Sequence, residues 1–275
     1  MTKDMLLVID NSKSAEPMIR AAIDMAARYE AGLSIQVLSV GPLGIPALAP
    51  LTTTYVSDHE MAYDEKVRVE DIRAMTADSP CVIRIDGLHD DLPLLTRRVG
   101  RASHVADLMV IGGQDHWELE WLRHHAAAAL ILGAGTPLLS LRRARALPPV
   151  HHAVLGWKET AEARRAIHDL TALIEPGGRV SVVSVGCDDV EAMAMADGAA
   201  EVVRHLKSKG YSAEAHQISE TGHGAAAALV DFTDVHRAQL LAIGAFTHSR
   251  LHEIALGSVT RTLLAESSVP VLFCR

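Results

Sequence analysis

Residues 239–260 read QLLAIGAFTHSRLHEIALGSVT, and the fold follows from how this stretch is punctuated. An apolar run from Leu240 to Ile243 stops at Gly244. A polar segment carrying His248, Arg250 and His252 follows, and Gly257-Ser258 opens a second apolar-periodic run. This is the pattern of a strand, a loop and a helix start. Gly244 lets the chain turn off the strand, Gly257 lets a ligand approach the backbone, and Ser258 is a good N-cap. The first turn of a helix leaves N–H groups unpaired at the positive end of the peptide dipole, which suits phosphate. Two imidazoles and a guanidinium in the loop can add charge-assisted bonds to an anion. The same glycines are also ordinary punctuation in an α/β protein, so local composition leaves both readings open.

The stretch has a twin earlier in the chain. QLLAIGA (239–245) matches DLMVIGG (107–113), and VPVLFC (269–274) matches TPLLSL (136–141), each pair about 133 residues apart. This is an internal duplication. In the first copy, strands are expected at Met5–Ile9, Leu33–Val40, Cys81–Ile85, Asp107–Ile111 and Pro137–Leu141. Helices are expected at Ser14–Ala31, Ser57–Ala77, Asp91–His104 and Ala126–Leu132. The first of these sets Met18, Ala22, Met25 and Ala26 near helical spacing, with Gly32 as terminator. Gly41–Leu51 is a long Pro- and Gly-bearing loop. The charged, proline-paired run Arg142–Pro149 reads as a linker. After it the order restarts, with strands at Ala153–Trp157, Arg179–Val185, Ser212–Ile218, Gln239–Ile243 and Val269–Cys274. Helices at Thr160–Ile174, Asp188–Lys209, Gly222–His236 and Gly257–Ala265 alternate with them. Strand alternating with helix predicts an open, doubly wound parallel sheet in each of two lobes, 1–144 and 150–275. Twin lobes in one chain pack most simply as a pseudo-symmetric pair, and a further homodimer of whole chains stays open.

With 49% hydrophobic and 22% charged residues over 275 positions, the chain can bury two medium cores. Aromatics are only 4%, so those cores are built from Ala, Leu, Val and Ile. A net charge of −8 argues against a general nucleic-acid or anionic-membrane surface, so any phosphate site is local. Cys81, Cys187 and Cys274 form no CxxC pattern, which fits inert thiols in a reducing cytoplasm. No apolar run reaches the roughly 18 residues of a membrane span, and MTKDMLLVIDNSKS reads as a first strand, not a secretion signal. Among 15 histidines, His116, His124-His125 and His151-His152 lack metal-ligand spacing, so no metal site is expected. Asp90-Asp91 and Asp188-Asp189 precede helices and suit their N-terminal dipoles better than acid/base catalysis.

With the repeat, the strand–Gly–loop–Gly-Ser order and the runs SRLHEIALGSVTRTLL (249–264) and SSVPVLFCR (267–275), the chain resembles the universal stress protein family in its tandem form. The family's pattern is a strand, Gly, two residues, Gly, nine residues, then Gly-Ser or Gly-Thr. Here Thr247 follows Gly244 by three positions and Gly257-Ser258 follows ten later. The resemblance implies a Rossmann-like lobe of the adenine nucleotide alpha hydrolase kind, whose ATP-binding members hold the triphosphate on this loop, with or without Mg2+. Carried over by position, Gly244, Gly257, Ser258, Val259 and Thr260 face phosphates and ribose, and Val185 offers its backbone to adenine. Thr247, His248 and Arg250 complete the candidate loop.

Two departures stand out. Thr247 replaces the family's second glycine, where a β-branched residue is poorly tolerated if φ is positive. Trp157 stands where an acidic residue is usual, either as a base-stacking surface or as a plug. In the first lobe Asp10 is in place, Val40 ends the second strand, and Gly112-Gly113 end the fourth. The following segment, however, carries Asp115, Glu118 and Glu120 and no Gly-Ser pair, so that site reads as degenerate. Phosphoryl transfer needs a metal-holding carboxylate and a residue that positions the nucleophile, and neither is placed near the second loop. The expectation is a non-enzymatic stress-response regulator that binds ATP or a related adenine nucleotide in its second lobe and signals to a protein partner. A scaffold with two empty pockets is the alternative.

Overall fold

The computed structural model describes residues 3–41, 58–133, 135–186, 189–220, 222–245, 247–250 and 253–275. The first lobe runs β1 (Asp4–Asp10), α1 (Glu16–Tyr29), β2 (Gly32–Val40), α2 (Asp58–Met75), β3 (Ile83–Asp90), α3 (Leu92–Ala102), β4 (Leu108–Gly112), α4 (Glu120–Gly133) and β5 (Leu138–Leu141). The second runs β6 (Val150–Gly156), α5 (Ala161–Thr171), β7 (Ile174–Gly186), α6 (Asp189–Ser208), β8 (Ser212–Ser219), α7 (Gly224–Val235) and β9 (Leu240–Gly244). A hairpin of β10 (Thr247–Arg250) and β11 (Glu253–Leu256) follows, then α8 (Ser258–Glu266) and β12 (Val271–Cys274).

One ten-stranded sheet joins the lobes in the order β3-β2-β1-β4-β5-β12-β9-β6-β7-β8. Neighbours within a lobe are parallel, whereas β5 and β12 meet antiparallel, with Leu272 opposite Leu139 and Phe273 opposite Leu138. The expected pseudo-symmetric pair is therefore two five-stranded halves hydrogen-bonded edge to edge.

Helices cover both faces, so the strands are apolar on both sides. Met5, Leu7 and Ile9 of β1 pack with Met18, Ala22 and Met25 of α1 on one face. Leu6 and Val8 pack with Val99 of α3 and Leu130 of α4 on the other. The predicted α1 face, Met18, Ala22, Met25 and Ala26, is wholly buried. Its stop differs from expectation: Glu30 takes the left-handed conformation at φ 52°, and Gly32 begins β2.

Several boundaries shift for physical reasons. β3 runs on to Asp90 rather than stopping at Ile85, because it is an edge strand whose register with β2 continues from Leu33–Ile83 to Val40–Asp90, and an edge tolerates polar residues such as Arg84. α4 starts six residues before Ala126, at Glu120, and buries Leu122 and Arg123 in its first turns. β7 begins at Ile174 rather than Arg179, accommodated by a register shift between Val150 and His152 of β6 and by a positive φ of 77° at Gly177. The polar segment after β9, expected as loop, pairs as the β10–β11 hairpin, with Thr247 opposite Leu256. Of the expected loop Gly41–Leu51, all but Gly41 lies outside the described residues, as do Cys187 and His252.

No helix among the described residues is long and apolar enough to cross a membrane.

Candidate functional site

The second lobe opens a crevice where its strand order reverses. From β6 the chain moves outward to β7 and β8. It then returns to place β9 on the other side of β6 and continues to β12, so the connections leaving the carboxyl ends of β6 and β9 part to opposite faces of the sheet, with α5 on one and α8 on the other. Open α/β sheets bind ligands at this switch point. A cavity of about 270 Å³ lies here. Its walls come from the ends of β6 (Gly156), β7 (Val183, Val185) and β9 (Ile243, Gly244), the following residues Trp157 and Lys158, and the helix starts at Thr160, Ala163, Ala225, Leu229 and Gly257–Thr260.

Seven predicted residues meet in this cavity: Trp157, Val185, Gly244, Gly257, Ser258, Val259 and Thr260. Thr247, His248 and Arg250 lie on β10, in the hairpin between β9 and α8. At Thr247 the concern over positive φ is removed, since a paired strand is extended backbone that a β-branched residue favours.

The α8 terminus is built one residue differently from expectation. Gly257 is the N-cap, at φ −59° and ψ 157°, and Ser258 is the first helical residue. Among the described residues no side chain caps this end, and the hydrogen-bonded ladder begins with the Arg261 N–H donating to the Gly257 carbonyl at 3.0 Å. The first-turn amides of Ser258, Val259 and Thr260 thus belong to an uncapped dipole end at the cavity wall. The neighbouring α5 start differs: Thr160 caps it, its hydroxyl accepting from the Ala163 N–H at 3.2 Å.

Gly244 serves packing. A methyl there would lie 2.4 Å from the Ala163 nitrogen and 2.7 Å from the Glu162 carbonyl carbon, so α5 could not cross β9 this closely above any other residue. It ends β9 without the positive φ that a sharp turn would need; among the described residues the glycines with positive φ are Gly135, Gly177, Gly210 and Gly224.

Strand register corrects the place given to Trp157. Val8 pairs with Ile111 in the first lobe, and Gly156 pairs with Ile243 in the second; Ile111 and Ile243 each precede the glycine that ends their strand. Val8 therefore corresponds to Gly156, Ile9 to Trp157 and Asp10 to Lys158. The residue at the acidic position is a lysine. By the same register Gln36 corresponds to Val183, which makes Leu38, and not Val40, the counterpart of Val185.

Trp157 is 5% exposed and forms a wall of the cavity without filling it. Its indole belongs to the core that holds Ala199 and Val202 of α6, and a methyl at Gly198 would lie 3.2 Å from its Nε1. Nε1 has no hydrogen-bond partner among the described residues. Sequence reasoning passed over Lys158 and Thr160; counting from the glycine that ends β6 was the signal that could have found them.

Among the described residues, the first lobe is drawn together at the equivalent place. Asp10 is 1% exposed, and its carboxylate accepts from the Ser12 N–H (3.2 Å), the Ser12 hydroxyl (2.6 Å) and the Glu118 N–H (2.6 Å). That last bond ties the segment after β4 across the crevice. A methyl on Gly112 would meet Met18 Cγ at 2.8 Å and His116 Cβ at 3.2 Å, and one on Gly113 would meet the Arg142 carbonyl oxygen at 2.5 Å. Val40 is buried at the end of β2. Beneath them Arg123, 2% exposed, donates to the carbonyls of Gly112 (2.7 Å) and Leu264 (3.0 Å). Burial lowers its pKa to about 10, offset by the Glu120 carboxylate and reinforced by the Arg142 guanidinium.

Residues 149–275 match the sequence profile of the universal stress protein family. The chain as a whole is similar in structure to a universal stress protein from Archaeoglobus fulgidus, at a TM-score of 0.70 and 13% identity, covering 100% of this chain and 99% of that one. It is also similar to a functionally unknown protein from Pseudomonas aeruginosa, at 0.58 and 14%, covering 99% and 92%. Both likenesses span the two lobes together. No curated protein matches the chain in sequence. The C-terminal lobe thus carries a universal stress protein domain, over residues 149–275, and the N-terminal lobe repeats its fold.

Proposed function

We propose that the chain is a stress-response regulator that binds ATP or a related adenine nucleotide in its second lobe. The observation that carries this reading is the uncapped start of α8 opening on a cavity at the switch point of the sheet. The cavity is mostly apolar, which suits a purine ring, and the free amides at one wall suit phosphate oxygens. The family profile over residues 149–275 supports the stress-response role. Binding, without turnover, is the function proposed: the described lining residues offer no carboxylate to act as base or hold a metal. Nucleotide would bridge β6, β9 and α8, and a protein partner would read the change in the hairpin that joins them. The first lobe, with Asp10 already accepting three hydrogen bonds, acts as a supporting half.

Calorimetry with ATP tests this. Saturable binding is expected for the wild type, with a loss of at least about tenfold in Gly257→Val, whose branched side chain suits the extended φ and ψ of this cap but stands before the amides. Absence of heat up to millimolar ATP would overturn it.

A further inference from the structure

Mg2+ demands a near-octahedral oxygen shell and is usually anchored by one or two carboxylates beside the phosphates. The cavity of the second lobe does not fit that ion. Its described lining residues contain no Asp or Glu, and no group of three or more His, Cys, Asp or Glu among the described residues could hold a metal. Glu159 and Glu162 are near in sequence but are not among the lining residues, and Glu162 already serves the first turn of α5. On the hairpin, Glu253 stands in register opposite Arg250. Where the first lobe has the Asp10 carboxylate, the second has the exposed ammonium of Lys158 at the rim.

We infer that Lys158 takes the place of a metal ion, so that the cavity binds its polyphosphate as the metal-free anion. A lysine presents a compact charge on a flexible stem and can follow a phosphate chain lying across the α8 terminus. Its attraction, like that of the helix dipole, grows with the negative charge of the ligand, which bound Mg2+ reduces. Excess Mg2+ therefore competes for the ligand. The ligand's identity as a nucleotide rests on the function proposed above; the preference for a free polyanion does not.

The test is binding of ATP and of inorganic tripolyphosphate, each with EDTA and with excess Mg2+, to the wild type, Lys158→Ala and Lys158→Asp. Lys158 is exposed, so both variants should keep the wild-type circular dichroism and melting curve. In EDTA the wild type binds both probes, and Mg2+ weakens binding several-fold. Lys158→Ala loses about tenfold in EDTA. Lys158→Asp, which restores the carboxylate of the first lobe, binds only when Mg2+ is present. Tighter wild-type binding with Mg2+, or unchanged binding in Lys158→Ala, overturns the assignment. Should tripolyphosphate behave as stated while ATP binds no better than it, the lysine assignment stands and the adenine reading falls. If neither probe binds, both fall.

Discussion

Arg142 and Arg275 hold the same place in the two lobes, and each reaches into the other lobe. Each follows the last strand of its own half. Arg142 donates to the Glu266 carbonyl at the end of α8, at 2.9 Å, and Arg275 donates to the Leu132 carbonyl near the end of α4. A guanidinium at a helix C-terminus satisfies an orphan carbonyl and complements the dipole. Arg275→Ala, the more buried case, should lower unfolding free energy by about 1 kcal/mol, and Arg142→Ala by less. The two act on different helices, so the double variant should show the sum in urea denaturation.

Gly244→Ala should be far more damaging than a single methyl suggests. The added carbon would meet α5 backbone, which cannot rotate away as a side chain can. Roughly 1–3 kcal/mol of destabilisation is expected, typical of overpacking. Thermal unfolding beside Gly100→Ala, where nothing lies within 4 Å, separates crowding from any general effect of removing a glycine.

Thr160 gives α5 its cap at the rim of the cavity. Thr160→Ala should cost about 1 kcal/mol, and Thr160→Ser should restore most of it. Urea denaturation of the three proteins checks the order.

His152 and His216 make stability depend on pH. Burial holds His152 below its ordinary 6.5, assisted by the Arg179 guanidinium. His216 is lowered by burial against the pull of Glu214, and its ring lies 5.9 Å from that of His236. Both are therefore neutral in the fold at a pH where the unfolded chain already takes protons. Stability should be level above the ordinary value and fall as pH drops below about 6.5. Denaturant midpoints between neutral pH and about pH 5 should show this decline, and His152→Gln should flatten part of it. A midpoint that rises on acidification would contradict the assignment.

The alternation of strand and helix was legible because both faces of the sheet are covered, which makes runs such as Met5–Ile9 apolar throughout. The glycine-led start of α8 was legible too, since Gly257–Thr260 stand at the cavity wall. The hairpin at 247–256 was not, because its polar residues carry no clear alternation and its pairing is visible only in space. Lys158 was hidden by Trp157, whose bulk drew attention one residue too early; only the pairing of β6 with β9 fixes the count. The bond that draws the first lobe together was not legible either. Asp115, Glu118 and Glu120 mark the segment as acidic, but the bond from the backbone N–H of Glu118 to Asp10 joins residues 108 positions apart and is visible only in space.

The antiparallel meeting of β5 with β12 has a consequence for how such a chain can change over time. Halves born on one polypeptide face each other at an effective concentration that dilution does not alter, so their union needs less affinity than that of two separate chains. One half can then draw together across its crevice, as the Asp10–Glu118 bond does, while its sibling keeps an open cavity. With that border sealed from within, β3 and β8 are, among the described residues, the free margins along which another chain could extend the sheet.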